Sequence, residues 1–225
     1  SEYAGGMVGI MEGATGTIKD CWFDGTVSGS CNHQSAFLGG MPEGNAKGYM
    51  VNCLSTGKVD MRANTGGLIG TFWSSGVELT IENSLFAGEF VNVSASVWGN
   101  FGTLAAQVQK GTIKANNVYT NTRSYEYKGV TKNAGLLGNA GTNKTTGMTS
   151  LAASSLKDES AYMNLDFDFF IDDANEEAKW LAVENDYPIL ASFAKDEQAV
   201  DLATVSGART LWHNKATTGA DEFVL

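Results

Sequence analysis

An all-β solenoid, a parallel β-helix, is the fold class the sequence predicts. Three observations carry that expectation: a repeat of about 31 residues, apolar residues recurring in register through its copies, and a composition rich in glycine and poor in charge. The chain has 225 residues, with 27 Gly, 2 Pro, 43% hydrophobic and 18% charged residues. Glycine is well above its usual share of about 7% and proline well below about 5%, with no period-three glycine, so collagen-like and simply disordered chains are excluded. The net charge of -10 disfavours an electrostatic grip on nucleic acid or on an anionic membrane surface. No run approaches the roughly 20 apolar residues of a membrane helix. The chain starts in mid-pattern at Ser1-Glu2-Tyr3-Ala4-Gly5-Gly6 and ends abruptly at Glu222-Phe223-Val224-Leu225, so it is expected to be part of a larger multidomain protein.

The first repeated element is Ile18-Lys-Asp-Cys-Trp-Phe-Asp-Gly25-Thr-Val27, echoed by Met50-Val-Asn-Cys-Leu-Ser-Thr-Gly57-Lys-Val59 and Ile81-Glu-Asn-Ser-Leu-Phe-Ala-Gly88-Glu-Phe90. Lys114-Ala-Asn-Asn117-Val-Tyr-Thr-Asn121 is a looser fourth copy. Aligned on Cys21, Cys53, Ser84 and Asn117, the steps are 32, 31 and 33 residues. A second element alternates with the first: Gly5-Gly-Met-Val-Gly9, Ser35-Ala-Phe-Leu-Gly39, Gly66-Gly-Leu-Ile-Gly70, Ala95-Ser-Val-Trp-Gly99 and Ala134-Gly-Leu-Leu-Gly138.

A unit this short cannot bury its own apolar face, whereas stacked copies bury a continuous core. Ile18, Met50 and Ile81 form one inward column, Trp22, Leu54, Leu85 and Val118 a second, and Val27, Val59 and Phe90 a third. Asp20, Asn52, Asn83 and Asn116 stack beside them at a sharp bend, because Asn tolerates the left-handed backbone and its amide hydrogen-bonds along the stack. Gly25, Gly57, Gly88 and Asn121 mark a second bend, where positive φ is favoured. In-register bends with strands about 4.8 Å apart describe a parallel β-helix of about four to five coils better than an antiparallel sandwich.

The paired elements, with Gly66-Gly67-Leu68-Ile69-Gly70 the best copy and Thr80-Ile-Glu-Asn-Ser-Leu-Phe-Ala-Gly88 following, resemble GLUG repeats of bacterial cell-surface and secreted proteins. That family includes adhesin-like polypeptides and regions of immunoglobulin A protease-like proteins. The resemblance covers residues 4 to 140 and implies a right-handed solenoid, a hand also general for parallel crossovers.

Residues 1-150 are therefore read as β-helix repeats, and 151-225 as a C-terminal cap and tail, packed on the solenoid or bridging to a following module. Within the cap, Ser155-Leu-Lys-Asp-Glu-Ser-Ala-Tyr-Met-Asn-Leu165 carries a helix start signal, and Asp166-Phe-Asp-Phe-Phe-Ile171 reads as a strand. Trp180 to Leu190, ending in Tyr187-Pro188-Ile189-Leu190, looks like the segment closing GLUG arrays. The cap is thus a small α/β element covering an open β-helix end. Val200-Asp-Leu-Ala-Thr-Val205 and Thr210-Leu-Trp212 suggest a further short β segment.

The sequence holds little conventional chemistry. His33 and His213 lie far apart and in no metal-ligand spacing, so no metal or cofactor is expected. Cys21 and Cys53 share a column and are expected to stack inward as free thiols, since parallel stacking gives the wrong Cβ geometry for a disulfide. Cys31 lies in a loop. The carboxylate pairs Asp20 with Asp24, and Glu78 with Glu82, have the spacing a glycoside hydrolase would need, but Asp20 belongs to the bend ladder and Asp24 to a surface turn. The acidic run Asp166 to Glu177 reads as a solvated turn, lacking the ligand order of an EF-hand.

Aromatic residues are the candidate binding groups. Phe23, Phe86 and Tyr119 fall beside the inward ladder, so alternation points them outward, unless a loop or the tail covers them. Trp73, Trp98 and the Tyr125-Glu-Tyr127 loop are further candidates. The function expected is a non-catalytic extracellular or cell-surface bacterial module, adhesin-like, that binds host glycan or protein or spaces other domains. The alternative is a carbohydrate-cleaving β-helix enzyme, a polysaccharide lyase or glycoside hydrolase.

Overall fold

The computed structural model describes residues 2–13, 15–92, 99–121, 123–127, 130–139, 148–152, 154–158, 167, 169 and 179–194. The chain divides into two units, Ser1–Leu151 and Ala152–Leu225. The first is a β-solenoid of about four turns. Coil one holds β1 (Tyr3–Gly5), β2 (Val8–Ile10), β3 (Thr15–Phe23) and β4 (Thr26–Val27). Coil two repeats them as β5 (His33–Ser35), β6 (Leu38–Met41), β7 (Lys47–Ser55) and β8 (Lys58–Asp60). Coil three holds β9 (Asn64–Gly66), β10 (Ile69–Phe72), β11 (Glu78–Phe86) and β12 (Glu89–Val91). In coil four the first two strands fuse into β13 (Phe101–Val108), followed by β14 (Thr112–Asn121). An antiparallel hairpin of β15 (Arg123–Tyr127) and β16 (Val130–Asn139) follows, with β16 also parallel to β13. β17 (Met148–Leu151) adds to β14. The strands stack in parallel into three sheets, one per side of the coil.

The first bend is as the asparagines foretold. Asp20, Asn52, Asn83 and Asn117 take φ of 52, 50, 45 and 52°, in the left-handed region where a short polar side chain is tolerated. Asn52 Nδ2 donates to Asp20 Oδ1 at 2.8 Å and Asn117 Nδ2 to Asn83 Oδ1 at 3.1 Å, so the side chains bond along the stack.

Asn117, not Asn116, is the fourth rung, which corrects the register of the last copy by one residue. Ser84 pairs with Val118, Leu85 with Tyr119 and Phe86 with Thr120. Each left-handed residue also shifts the phase of the pleat. Strict alternation from Ile18 would put Trp22 inside. The bend uses up one residue, so Cys21 and Phe23 face the interior instead, with Trp22 on the far side. The inner columns are thus Cys21–Cys53–Ser84–Val118 and Phe23–Ser55–Phe86–Thr120. The column expected inside, Trp22–Leu54–Leu85, is outside the core cluster, although Leu54 and Leu85 are fully buried.

The glycines follow from this packing. Gly25, Gly57 and Gly88 do not take positive φ; they are close-approach positions. A Cβ on Gly57 would lie 2.5 Å from the Gly25 carbonyl and 2.7 Å from the Phe23 ring, and one on Gly88 2.4 Å from the Gly57 carbonyl and 2.8 Å from Phe86. Across the interior, a Cβ on Gly6 would meet Phe23 at 2.4 Å and one on Gly67 would meet Phe86 at 2.6 Å. Large and small residues therefore alternate. Coils one and three pair Phe with Gly, coil two has buried Ser55 and Ala36 in the same columns, and coil four pairs Thr120 with Thr103 through a buried 2.8 Å hydrogen bond.

Gly66 opens the tight turn of the second element, where a Cβ would fall 1.7 Å from the Ile69 carbonyl. In coil four this turn lies at Gly102-Thr103-Leu104-Ala105, because Gly66 pairs with Gly102 and Ile69 with Ala105. The expected site at Ala95 to Gly99 is displaced by the longer connection after β12.

In the second unit, β18 (Trp180–Leu181) and β19 (Ile189–Leu190) pair antiparallel, and a 3-10 turn spans Ala191–Phe193. Trp180 stacks on Phe167 at 4.3 Å and is bridged to Phe169. Of the expected helix from Ser155, residues 154–158 form a turn in which Leu156 N–H donates to the Ala152 carbonyl. The rest of that helix, most of the strand expected at 166–171, and everything beyond 194 lie outside the described residues.

Candidate functional site

The turn that opens at Gly5, Ser35, Gly66 and Gly102 folds the sheet back on itself, so the residue two positions before it faces the strand after it. By register the first wall is Tyr3, His33, Asn64 and Asn100. The second is Ile10, Gly40, Thr71 and Gln107. The two walls touch. A Cβ on Gly40 would lie 2.6 Å from the Tyr3 ring, so only glycine leaves room for it. In the next coils His33 Nδ1 meets Thr71 Oγ1 at 2.8 Å. Gln107, nearly fully buried, continues the second wall, with no partner for Oε1 among the described residues.

His33 is the centre of this seam. Its ring stacks on Tyr3, with centroids 4.6 Å apart and planes at 19°, and lies perpendicular to the Trp73 ring at 5.9 Å and 84°. Asn64 Oδ1 accepts from both the backbone N–H and the side-chain amide of Asn100, which fixes the Asn64 amide with its nitrogen toward His33. Asn64 Nδ2 therefore faces His33 Nδ1 at 3.4 Å, and Thr71 Oγ1 lies 2.8 Å from the same nitrogen. Burial holds the His33 pKa below its ordinary value, opposed by the nearby Glu2 carboxylate. Burial also pushes the Tyr3 hydroxyl upward, reinforced by Glu2 and, more weakly, by Glu12 and Glu43, with the Trp73 indole acting the other way.

Trp73 packs against the His33 ring yet remains 36% exposed. It directly follows Phe72, which pairs with Met41, so Pro42 and Glu12 occupy the same position in the two coils before it. The site is thus an exposed indole beside a phenol, with three exposed glutamates and Lys110 around it. Sequence reasoning named Trp73 but missed Tyr3 and His33. The available signal was their fixed place two residues before each turn.

The remaining candidates fare differently. Phe86 is fully buried and Phe23 packs against the core, so neither forms an outer aromatic face; the phase shift at the bend reversed them. Tyr119 moves into the Leu85 column and is half-buried, apart from the two phenylalanines. Trp98, His213 and most of the acidic run lie outside the described residues. Tyr125 packs its ring 5.2 Å from Phe101, and burial raises its pKa.

The carboxylate pairs are occupied structurally. Asp20 accepts from Asn52, and Asp24 accepts from Thr56 at 2.7 Å, whose oxygen in turn accepts from the Trp22 indole N–H. Glu78 is ion-paired with Lys114 at 2.6 Å. Cys21 and Cys53 are free and stand opposite each other in register, with burial pushing the Cys53 thiol up to about 12. Among the described residues no group of three or more His, Cys, Asp or Glu is placed to hold a metal, and no helix is long and apolar enough to cross a membrane. No family model, no curated protein and no solved structure matches the chain.

Proposed function

We propose that this chain is a non-catalytic, extracellular surface module, adhesin-like, whose solenoid presents the seam around Trp73 to a host protein or glycan. The observation that carries this reading is the exposed indole of Trp73, held by a perpendicular ring contact to buried His33. A large apolar group kept at the surface by a rigid polar scaffold is a preorganised contact, which loses little freedom on binding. The GLUG-like repeats support the same reading by resemblance, and with it a cell-surface location. The carboxylates that an enzyme of this shape would use are engaged between coils, as acceptors for Asn52 and Thr56.

The test is binding of the intact chain to glycan arrays and to immobilised extracellular matrix proteins, compared with Trp73→Ala. Loss of the strongest signal in the variant is expected. Equal binding by the variant removes the seam from the reading, and release of reducing ends from a polysaccharide would overturn its non-catalytic part.

A further inference from the structure

The seam also carries information about what it binds. Its contact surface is the exposed part of Trp73 beside the Tyr3 phenol, and both rings have their positions fixed from behind by His33 and Gly40. The surroundings are predominantly acidic, three glutamates against Lys110, which follows Gln109, the residue one coil on in the Trp73 column. Glu12 stands in the Trp73 column two coils away, Glu43 adjoins the Pro42 between them, and Glu2 precedes Tyr3. All three glutamates are exposed. The lysines that pair with carboxylates among the described residues, Lys19, Lys58, Lys114 and Lys157, pair with Asp20, Glu89, Glu78 and Asp186 instead. Aromatic faces have negative potential, and carboxylates around them deepen it. An uncharged sugar ring would use the stacking face but gain nothing from the charge. A cation uses both.

Resting on the reading of Trp73 as the contact site, we infer that the group taken there is an organic cation, the guanidinium or ammonium of a basic side chain on a partner protein. The planar guanidinium suits the site best, since it stacks on the indole while its N–H groups reach carboxylates at the edge. The partner is then a basic, extended protein segment, drawn toward a chain of net charge -10.

The experiment is an NMR titration of the intact chain with three probes: the amidated tripeptide Gly-Arg-Gly, its isosteric but uncharged citrulline analogue, and methyl β-glucopyranoside. The arginine peptide should shift the Trp73 indole N–H resonance saturably, and the citrulline peptide should bind about fivefold or more weakly, the scale of an exposed cation–π contact. Trp73→Ala should lose the interaction, Trp73→Phe should keep most of it, and Glu12→Gln with Glu43→Gln should weaken it by about twofold to fivefold, an effect that raised salt mimics. Circular dichroism on each variant checks the fold. If the citrulline peptide binds as well as the arginine peptide, or the glucoside binds and the arginine peptide does not, the cation is refuted while Trp73 stands as a contact site. If none of the probes moves the Trp73 resonance, the cation inference fails; if glycan and matrix binding also ignore Trp73→Ala, the seam reading falls with it.

Discussion

The two sides of the glycine turn solve opposite problems with the same backbone. On its inner side, Gly6 and Gly67 give up their side chains so that Phe23 and Phe86 can fill the solenoid. On its outer side, Gly40 does the same for Tyr3, but the seam is closed by polar contacts, His33 to Thr71 and Asn64 to Asn100. Inside, volume decides which residue fits, and the alternation of Phe with Ser and Thr keeps the stack filled without overlap. Outside, hydrogen-bond geometry decides, and the rings are left with an exposed margin. A repeat can therefore vary its outer seam while its inner side stays constrained by packing.

Removing one side of the inner fit tests this most strongly. Phe86→Ala should cost about 3–5 kcal/mol in urea unfolding, as truncation of a fully buried aromatic usually does. Gly67→Ala should also destabilise, since its Cβ would meet the Phe86 ring at 2.6 Å and the Thr103 carbonyl at 2.0 Å. Combining Gly67→Ala with Phe86→Leu should cost less than the sum of the two, because the smaller side chain relieves part of the overlap. Strict additivity would mean that the glycine answers to the backbone alone.

The bend that sets the two sides comes next. Asn52 has φ of 50° and donates to Asp20, so Asn52→Ala should lose about 2–3 kcal/mol, combining left-handed strain with a lost hydrogen bond. Asn52→Gly keeps the backbone accessible and should lose only about 1 kcal/mol. Equal losses in the two variants would show that strain at this rung is negligible. These rungs were the most legible part of the sequence, because Asp or Asn at a fixed spacing has few explanations other than a left-handed bend. What the bend does to the pleat was not legible. A single left-handed residue reverses which side every later residue faces, and apolar Trp22, Leu54 and Leu85 on one side offered no polar neighbour to betray the reversal. The outer seam escaped for a different reason: Tyr3, His33, Asn64 and Asn100 share a position but not a residue type, so no column of like residues announced them.

The outer seam should respond to pH where the inner side does not. Burial keeps the folded-state pKa of His33 below 6.5, so the folded chain binds fewer protons than the unfolded one as the pH falls through that value. The stability is complete above the unfolded pKa and is lost below it until the folded pKa is reached, with a slope of at most about 1.4 kcal/mol per pH unit. Urea midpoints of the native chain and His33→Gln should diverge between pH 8 and pH 5, the native chain losing more. Parallel pH profiles would mean that the imidazole is as free in the folded state as in the unfolded.

The smallest effect separates the two sides without changing stability. Cys53 faces the interior and is fully buried, while Cys21, its partner in register, is half-buried in the first coil. With its pKa pushed up to about 12, the Cys53 thiol is ionised at pH 8 in only about one molecule in ten thousand, against roughly a quarter for an ordinary thiol. Iodoacetamide on the native chain should therefore modify Cys21 and Cys31 and leave Cys53 untouched until urea opens the coil, as peptide mass mapping would report. Modification of Cys53 at the rate of Cys21 in the folded chain would place that column on the outside and undo the phase shift at the asparagine bend on which the inward position of Phe23 and Phe86 depends.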